Sequence, residues 1–363
     1  MVLTKGDDFP IHQTSEPIAY SGTDRNFYDR YFFNAYPYEG DDFFALAFGV
    51  YPHLNIADAS FCVIRDGVQT ALHASRWLGM ERMDLHVGPI AIEVLEPLKS
   101  LKILVDSPDH GLRAEIVFEG RAFPVEEPRF IRRHGPRAFM DYTRLTQNGR
   151  YTGWIEIDGE RQPLAAGAVG TRDRSWGVRP VGAPDAQPQV GGGTPGFFWQ
   201  WSPLNFADKS VFFHFTSDSS GVPWNTRAVV CPDGSGPGAM TETDAARMAV
   251  DFEGDTRHAK AARLTIPMPN APDIEIAFTP IAKFQMRGIG YIHPKWGHGR
   301  YQGDLVVERE DIVLADAAPN SIENLHIQAI SKVELTQAGR PAQQGLGVFE
   351  QLILGPYAPY GLK

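Results

Sequence analysis

Short apolar runs, many of them alternating with polar residues and ended by Gly, Pro, Asn or Asp, recur along the whole of this 363-residue chain. A period of two marks a strand with one buried face, and the spacing leaves little room for the helices of repeated βαβ units. Such runs are Phe43 to Val50, Ser60 to Ile64, Leu101 to Val105, Leu112 to Phe118, Tyr151 to Ile157, Ser210 to Phe215, Asp304 to Glu308, Ile327 to Leu335 and Gly347 to Leu354. In the fourth, Leu112, Ala114, Ile116 and Phe118 take every second position, so one face is expected to be buried. Asp66-Gly67 and Asp158-Gly159 sit between runs and favour the primed turns of two-residue hairpins. The expected fold class is all-β with few short helices.

Two segments read as short helices, Arg137 to Thr146 and Thr243 to Val250, the second with Thr243 as N-cap. The chain is long for one hydrophobic core, and two barrel-like domains are expected. Val181 to Pro195, rich in Pro and Gly and nearly devoid of large apolar residues, reads as the linker between them. The domains are therefore placed at residues 1–185 and 186–363.

Apolar residues at 43% and charged residues at 21% are enough to build a core. A net charge of −10 with no Lys/Arg block argues against nucleic acid or anionic membrane as a partner. Cys62 and Cys231 have neither CxxC nor metal-type spacing and read as small core residues. The N-terminus lacks an apolar signal region and no later stretch is long enough to cross a bilayer, so a cytoplasmic location without membrane insertion is expected. A homodimer is compatible with this reading.

Three clusters carry chemistry. Gly170 to Arg179 contains Asp173 among Arg172, Arg174 and Arg179, with Trp176 close behind. Two readings stand: an Asp held near Trp176 in an apolar cavity keeps a proton near neutral pH and donates it, or Asp173 pairs with one of the arginines and is architectural. Phe197 to Trp201 places Phe197, Trp199 and Trp201 on one strand face, and in Phe212 to Phe215 alternation sets His214 opposite Phe213 and Phe215. His214 is either a hydrogen-bonded structural residue or an acid–base group. Gly288 to Tyr301 holds Tyr291, His293, Trp296 and His298, which either line a cavity mouth or decorate a Gly-rich hairpin. Pro294 and the glycines exclude the helical turn on which two histidines converge on zinc, so no metal is expected. No dinucleotide fingerprint, phosphate loop or nucleophile elbow is found, and no cofactor is expected.

Gly170 to Gly177 is similar to the G-x-x-x-D-H-x-W-G element of the lipocalin-like superfamily of hydroxyneurosporene synthase (carotenoid 1,2-hydratase) and AttH-like proteins, with one residue fewer between Gly170 and Asp173 and with Arg174 where histidine is usual. Arg30 to Asn34, Tyr51-Pro52-His53 with Asp58, Gly288 to Gly299 and Gly347 to Gln351 resemble a bacterial branch of the same superfamily. The resemblance implies two lipocalin-like (calycin-type) antiparallel barrel or sandwich domains enclosing a hydrophobic ligand.

The leading expectation is thus a cofactor-independent lyase or isomerase, of hydratase or cyclase type, that protonates an alkene or polarises a carbonyl in a large terpenoid-, polyketide- or steroid-like molecule. Asp173 is its acid, Trp176, Trp199 and Trp201 line a cationic path, and His214 or His298 positions water; Tyr291, His293 and Trp296 complete the substrate contacts. The alternative is a non-catalytic binding protein for a hydrophobic small molecule.

Overall fold

The computed structural model describes residues 3–12, 17–20, 24–36, 43–187 and 196–363. The chain divides into two units. The first holds the described residues up to 187 together with Gly288–Val313, and the second holds residues 196–287 and Leu314–Lys363. Residues 288–313 therefore belong with the first unit, where the sequence alone had assigned them to the second domain. Among the described residues, every helix is a single turn of three or four residues, as in the Lys5–Asp8 segment.

The strands of the first unit are β1 (Phe27–Tyr36), β2 (Phe43–Tyr51), β3 (Ile56–Arg65), β4 (Val68–Trp77), β5 (His86–Val87), β6 (Ile90–Glu96), β7 (Ser100–Ser107), β8 (Leu112–Gly120), β9 (Val125–Glu126), β10 (Phe130–His134), β11 (Arg137–Ile157), β12 (Glu160–Pro163) and β13 (Val169–Val178). The second unit contributes β14 (Phe197–Asn205), β15 (Lys209–Ser217), β16 (Pro223–Pro232), β17 (Thr241–Thr243), β18 (Arg247–Phe252), β19 (Ala259–Ile266) and β20 (Ile274–Gln285). Then β21 (Leu305–Val313) returns to the first unit, and β22 (Ile327–Gln337) and β23 (Gln343–Leu354) finish the second. Each unit is a curled antiparallel sheet, the first ordered β21-β4-β3-β2-β1-β13-β11-β8-β7-β6-β5 and the second β17-β16-β15-β14-β23-β22-β20-β19-β18. The all-β, two-sheet expectation is borne out.

Neither segment expected as a helix is one. Arg137 to Thr146 opens β11, whose 21 residues pair with β8, β10 and β13, and ladder bonds to several neighbours outweigh a weak local helical preference. Thr243 to Val250 spans β17, a turn and the start of β18. Thr243 still caps locally, accepting the Ala245 N–H on its hydroxyl. Asp66-Gly67 and Asp158-Gly159 are the expected turns, each with both residues at positive φ. Of the expected linker, residues 188–195 lie outside the described residues, while Val181 is buried and Gly182 donates its N–H to the His298 carbonyl.

One face of each sheet carries an apolar core. In the first unit Tyr31, Phe33, Phe44, Phe61, Phe118 and Tyr151 belong to it; in the second Phe213, Leu264, Ile276, Phe278 and Phe349 do. Cys62 and Cys231 are buried and unpaired.

Candidate functional site

Alternation along β1 and β13 sorts the charged residues of the first unit onto two faces. Arg172 lies opposite Phe33 and Arg174 opposite Tyr31, so both arginines point to the core side. Charges there need partners, and the Lys5–Asp8 turn with its flanks and Asp29 of β1 bring them. Fully buried Asp8 pairs with Arg172 and accepts the Leu98 N–H. Arg172 also donates Nε to Gln147 Oε1 at 2.7 Å. Arg174 reaches Asp29 at 2.6 Å, donates to the Phe9 carbonyl at 2.9 Å, and lies 3.9 Å over the Tyr31 ring. Asp29 also meets His12 Nδ1 at 2.9 Å, and the His12 ring stacks on Trp176 with centroids 3.8 Å apart.

Asp173 projects from the other face. It is not beside Trp176, because residues three apart on a regular strand point oppositely, and Arg172 and Arg174 are engaged by Asp8 and Asp29 instead. Its charge acts on Arg144, whose guanidinium also lies 3.5 Å from buried Glu127. The glycines of the motif serve the strand itself: a Cβ at Gly170 would collide with the Asn34 carbonyl, and Gly177 holds φ +134 against the Asp141 carbonyl.

On that second face a row runs directly across five strands through Arg144, Ser175, Arg30, Gly49 and Asp58. Gly49 leaves the gap that the row needs. A Cβ there would strike the Tyr51 ring and hydroxyl, so the missing side chain lets Tyr51 lie across the row and donate to Asp58 Oδ1 at 3.0 Å. The second carboxylate oxygen accepts the Gly299 N–H at 2.6 Å, from the segment that follows the Met286–Ile289 turn. Packed protein surrounds this carboxyl while the residue keeps partial solvent contact. Burial pushes its pKa up to about 6, against the opposing hydrogen bonds from Gly299 and Tyr51 and the charges of Arg30 and Arg179.

Tyr291 is the hub beside Asp58. The Arg30 guanidinium sits 4.6 Å and that of Arg179 5.6 Å from the Tyr291 ring centroid, and the His298 ring meets it edge-on at 4.6 Å. Arg179 also covers Tyr28 at 4.4 Å. His298 Nε2 faces the Ile289 carbonyl at 2.8 Å, and its Nδ1 faces Arg30 Nη1 at 3.3 Å. Since a carbonyl only accepts and a guanidinium only donates, the imidazole is neutral with its proton on Nε2. Arg30 is 1% exposed, yet its Nε and Nη2, together with Nη2 of Arg179, have no hydrogen-bond partner among the described residues. Buried cationic donors without partners are costly, and their chemistry is that of a site for an oxygen acceptor.

His293 and Trp296 lie next to this cluster and are buried, so they do not decorate an exposed hairpin. His293 Nε2 meets Glu310 Oε2 at 3.0 Å, His73 Nε2 lies 3.6 Å from the same oxygen, and Trp296 stacks on His73 at 5.2 Å. These three ligand-type groups converge within 4.8 Å. The hydrogen bonds of His293 do not suit a metal: its Nδ1 accepts the backbone N–H groups of Lys295 and Trp296, so the nitrogen facing Glu310 serves as a donor rather than a lone pair. The trio anchors the segment that carries Tyr291, His298 and Gly299.

The remaining candidates are in the second unit. Trp199 donates Nε1 to Glu350 at 2.9 Å, and Glu350 also accepts from His326 at 2.8 Å and Gln328 at 2.7 Å. Burial alone would raise that carboxyl, but these bonds hold it below the ordinary value. Trp201 packs edge-on against Phe212 at 6.0 Å, and fully buried His214 meets Asn225 Oδ1 at 2.7 Å from the face opposite Phe213. Of the residues singled out from sequence, Tyr291 and His298 are brought together. Arg30, Tyr51 and Asp58 were not among the candidate site residues; Asp58, standing between Ala57 and Ala59, gives a local signal, whereas Arg30 is flanked by Asp29 and Tyr31 and gives none.

A family model matches residues 3–363. The chain belongs to the family of unknown function DUF8625. A search of curated proteins gives no match. Among solved structures, this DUF8625 chain is similar to the AttH protein NE1406 from Nitrosomonas europaea, with TM-score 0.51, 14% identity, and 91% of this chain and 94% of that chain covered. It is also similar to CghA with Sch210972, with TM-score 0.54, 11% identity and coverage of 92% and 90%. Kievitone hydratase from Nectria haematococca aligns with TM-score 0.48, 10% identity and coverage of 89% and 88%. The DUF8625 chain thus has the AttH-like, lipocalin-like fold that its motifs resemble. Among its described residues, no helix is long and apolar enough to cross a membrane.

Proposed function

We propose that this protein is a cofactor-independent lyase or isomerase, of hydratase or cyclase type, acting on a large hydrophobic substrate that carries a carbonyl oxygen. The observation that carries the proposal is the pairing of a carboxyl with pKa about 6 with the unpartnered donors of Arg30 and Arg179. A carboxyl at that value accepts or donates a proton near neutral pH, and buried guanidiniums stabilise negative charge as it develops on oxygen. In this scheme Arg30 and Arg179 hold the carbonyl oxygen, Asp58 takes the proton from the adjacent carbon and returns it after rearrangement or addition, and the rings of Tyr28 and Tyr291 face the apolar body of the substrate. Two guanidiniums repel a carbocation, which supports the carbonyl branch of the chemistry over protonation of an isolated alkene. CghA, of the same fold, is described with the small molecule Sch210972, and the fold's capacity for such a ligand supports this reading.

The test is the exchange of α-hydrogens of 2-tetralone in deuterium oxide, followed by NMR. The wild-type protein accelerates exchange, Asp58→Asn lowers the rate by roughly two to four powers of ten, and Arg30→Met lowers it comparably. Exchange no faster than in buffer, or an Asp58→Asn protein as fast as wild type, overturns the proposal.

A further inference from the structure

We propose that the second unit carries a ligand site of its own at one end of its sheet, taking a small, flat, neutral apolar molecule with a single hydroxyl or carbonyl oxygen. This site is independent of the one around Asp58. A cavity of about 330 Å³ opens there, at the lower end of the range of small-molecule sites. Its walls are aromatic. Phe198 stacks on Tyr357 with centroids 4.0 Å apart and planes 15° from parallel, Phe215 meets Phe198 edge-on at 6.0 Å, and Tyr360 is fixed by accepting the Val250 N–H at 3.0 Å. Stacked rings of this kind offer a slot for another planar group.

The floor is polar where an ordinary core is not. Gln200 lines the cavity, is 2% exposed, and makes no side-chain hydrogen bond among the described residues. Gln351 lies directly across the ladder on the same face; its Oε1 accepts the Ala259 N–H at 2.9 Å while its Nε2 has no partner. Ser202, two residues further along that face, has an unpartnered buried hydroxyl. Buried amides left open in this way are satisfied by an incoming polar atom. At the rim Asp244 and Arg247 carry opposite charges, which favours a ligand without net charge.

Binding of 2-naphthol and of naphthalene to the full chain, measured by calorimetry and ligand-observed NMR, tests the site. The wild-type protein binds 2-naphthol about ten-fold more tightly than naphthalene, the difference of one good hydrogen bond. Gln200→Leu abolishes that preference while naphthalene still binds, and Met248→Trp, which fills the cavity, abolishes binding of both. Asp58→Asn leaves both affinities unchanged. The proposal is overturned if neither probe binds, if folded Gln200→Leu keeps the preference, or if Met248→Trp binds as wild type does.

Discussion

Tyr51 donates its hydroxyl to Asp58 across the backbone of Gly49, a residue whose lack of a side chain is what lets the two meet. The bond favours the ionised carboxylate, so Tyr51 restrains the rise that burial imposes on Asp58. Tyr51→Phe therefore moves the Asp58 titration upward from about 6, and Gly49→Ala, by displacing the Tyr51 ring, does the same. Carboxyl titration followed by infrared spectroscopy or NMR checks this; a downward or absent shift in both variants refutes it.

The same carboxyl links stability to pH. A folded-state pKa raised above the unfolded value gives a contribution fully present below about 4 and lost as pH rises through about 6. Asp58→Asn has no such dependence. Its stability relative to wild type should improve by up to about 3 kcal/mol between pH 4 and pH 7, less whatever solvent screening removes. Denaturant unfolding of both proteins at a series of pH values measures the trend.

Asp8 and Asp173 should behave very differently when their charge is removed. Asp8→Ala leaves the Arg172 guanidinium buried without its partner and costs about 3–5 kcal/mol. Asp173→Asn strands neither Arg172 nor Arg174 and should cost less than Asp8→Ala by about 2 kcal/mol or more. Equal losses in chemical denaturation would contradict the two-face arrangement of β13.

Glu350 gathers three donors in the second unit, and Glu350→Ala removes the acceptor that all three share. A loss of about 3 kcal/mol or more is expected in denaturant unfolding. Glu350→Gln, which keeps an acceptor, should recover part of that loss.

Cobalt(II) is expected to produce no tetrahedral visible band with the purified protein, because the His293 ring would have to give up two backbone hydrogen bonds to offer a lone pair. A stoichiometric band lost in His293→Ala would reverse that assignment.

Much of the architecture was legible in the primary structure because strand faces follow parity. Leu112 to Phe118 and the orientation of His214 opposite Phe213 follow from a period of two, and the two Asp-Gly turns from the positive φ that their residues tolerate. Parity also contained the answer for Asp173 and Trp176, which sequence proximity obscured. Arg137 to Thr146 looks helical in isolation because its strand character comes from ladders with β10 and β13, partners that local propensity does not see. The cluster around Asp58 joins residues 30, 51, 58, 179, 291 and 298, and nothing in their separate surroundings encodes that meeting.

Residues 288–313 of the first unit lie between two stretches of the second. During synthesis, the earlier strands emerge without β21 and without the residues that supply Gly299 to Asp58 and Tyr291 to Arg30. The first sheet must wait, its β4 edge unpaired, while β14 to β20 are translated. The gene accordingly has no single cut that releases either unit whole, and its halves cannot be shuffled between proteins as independent cassettes.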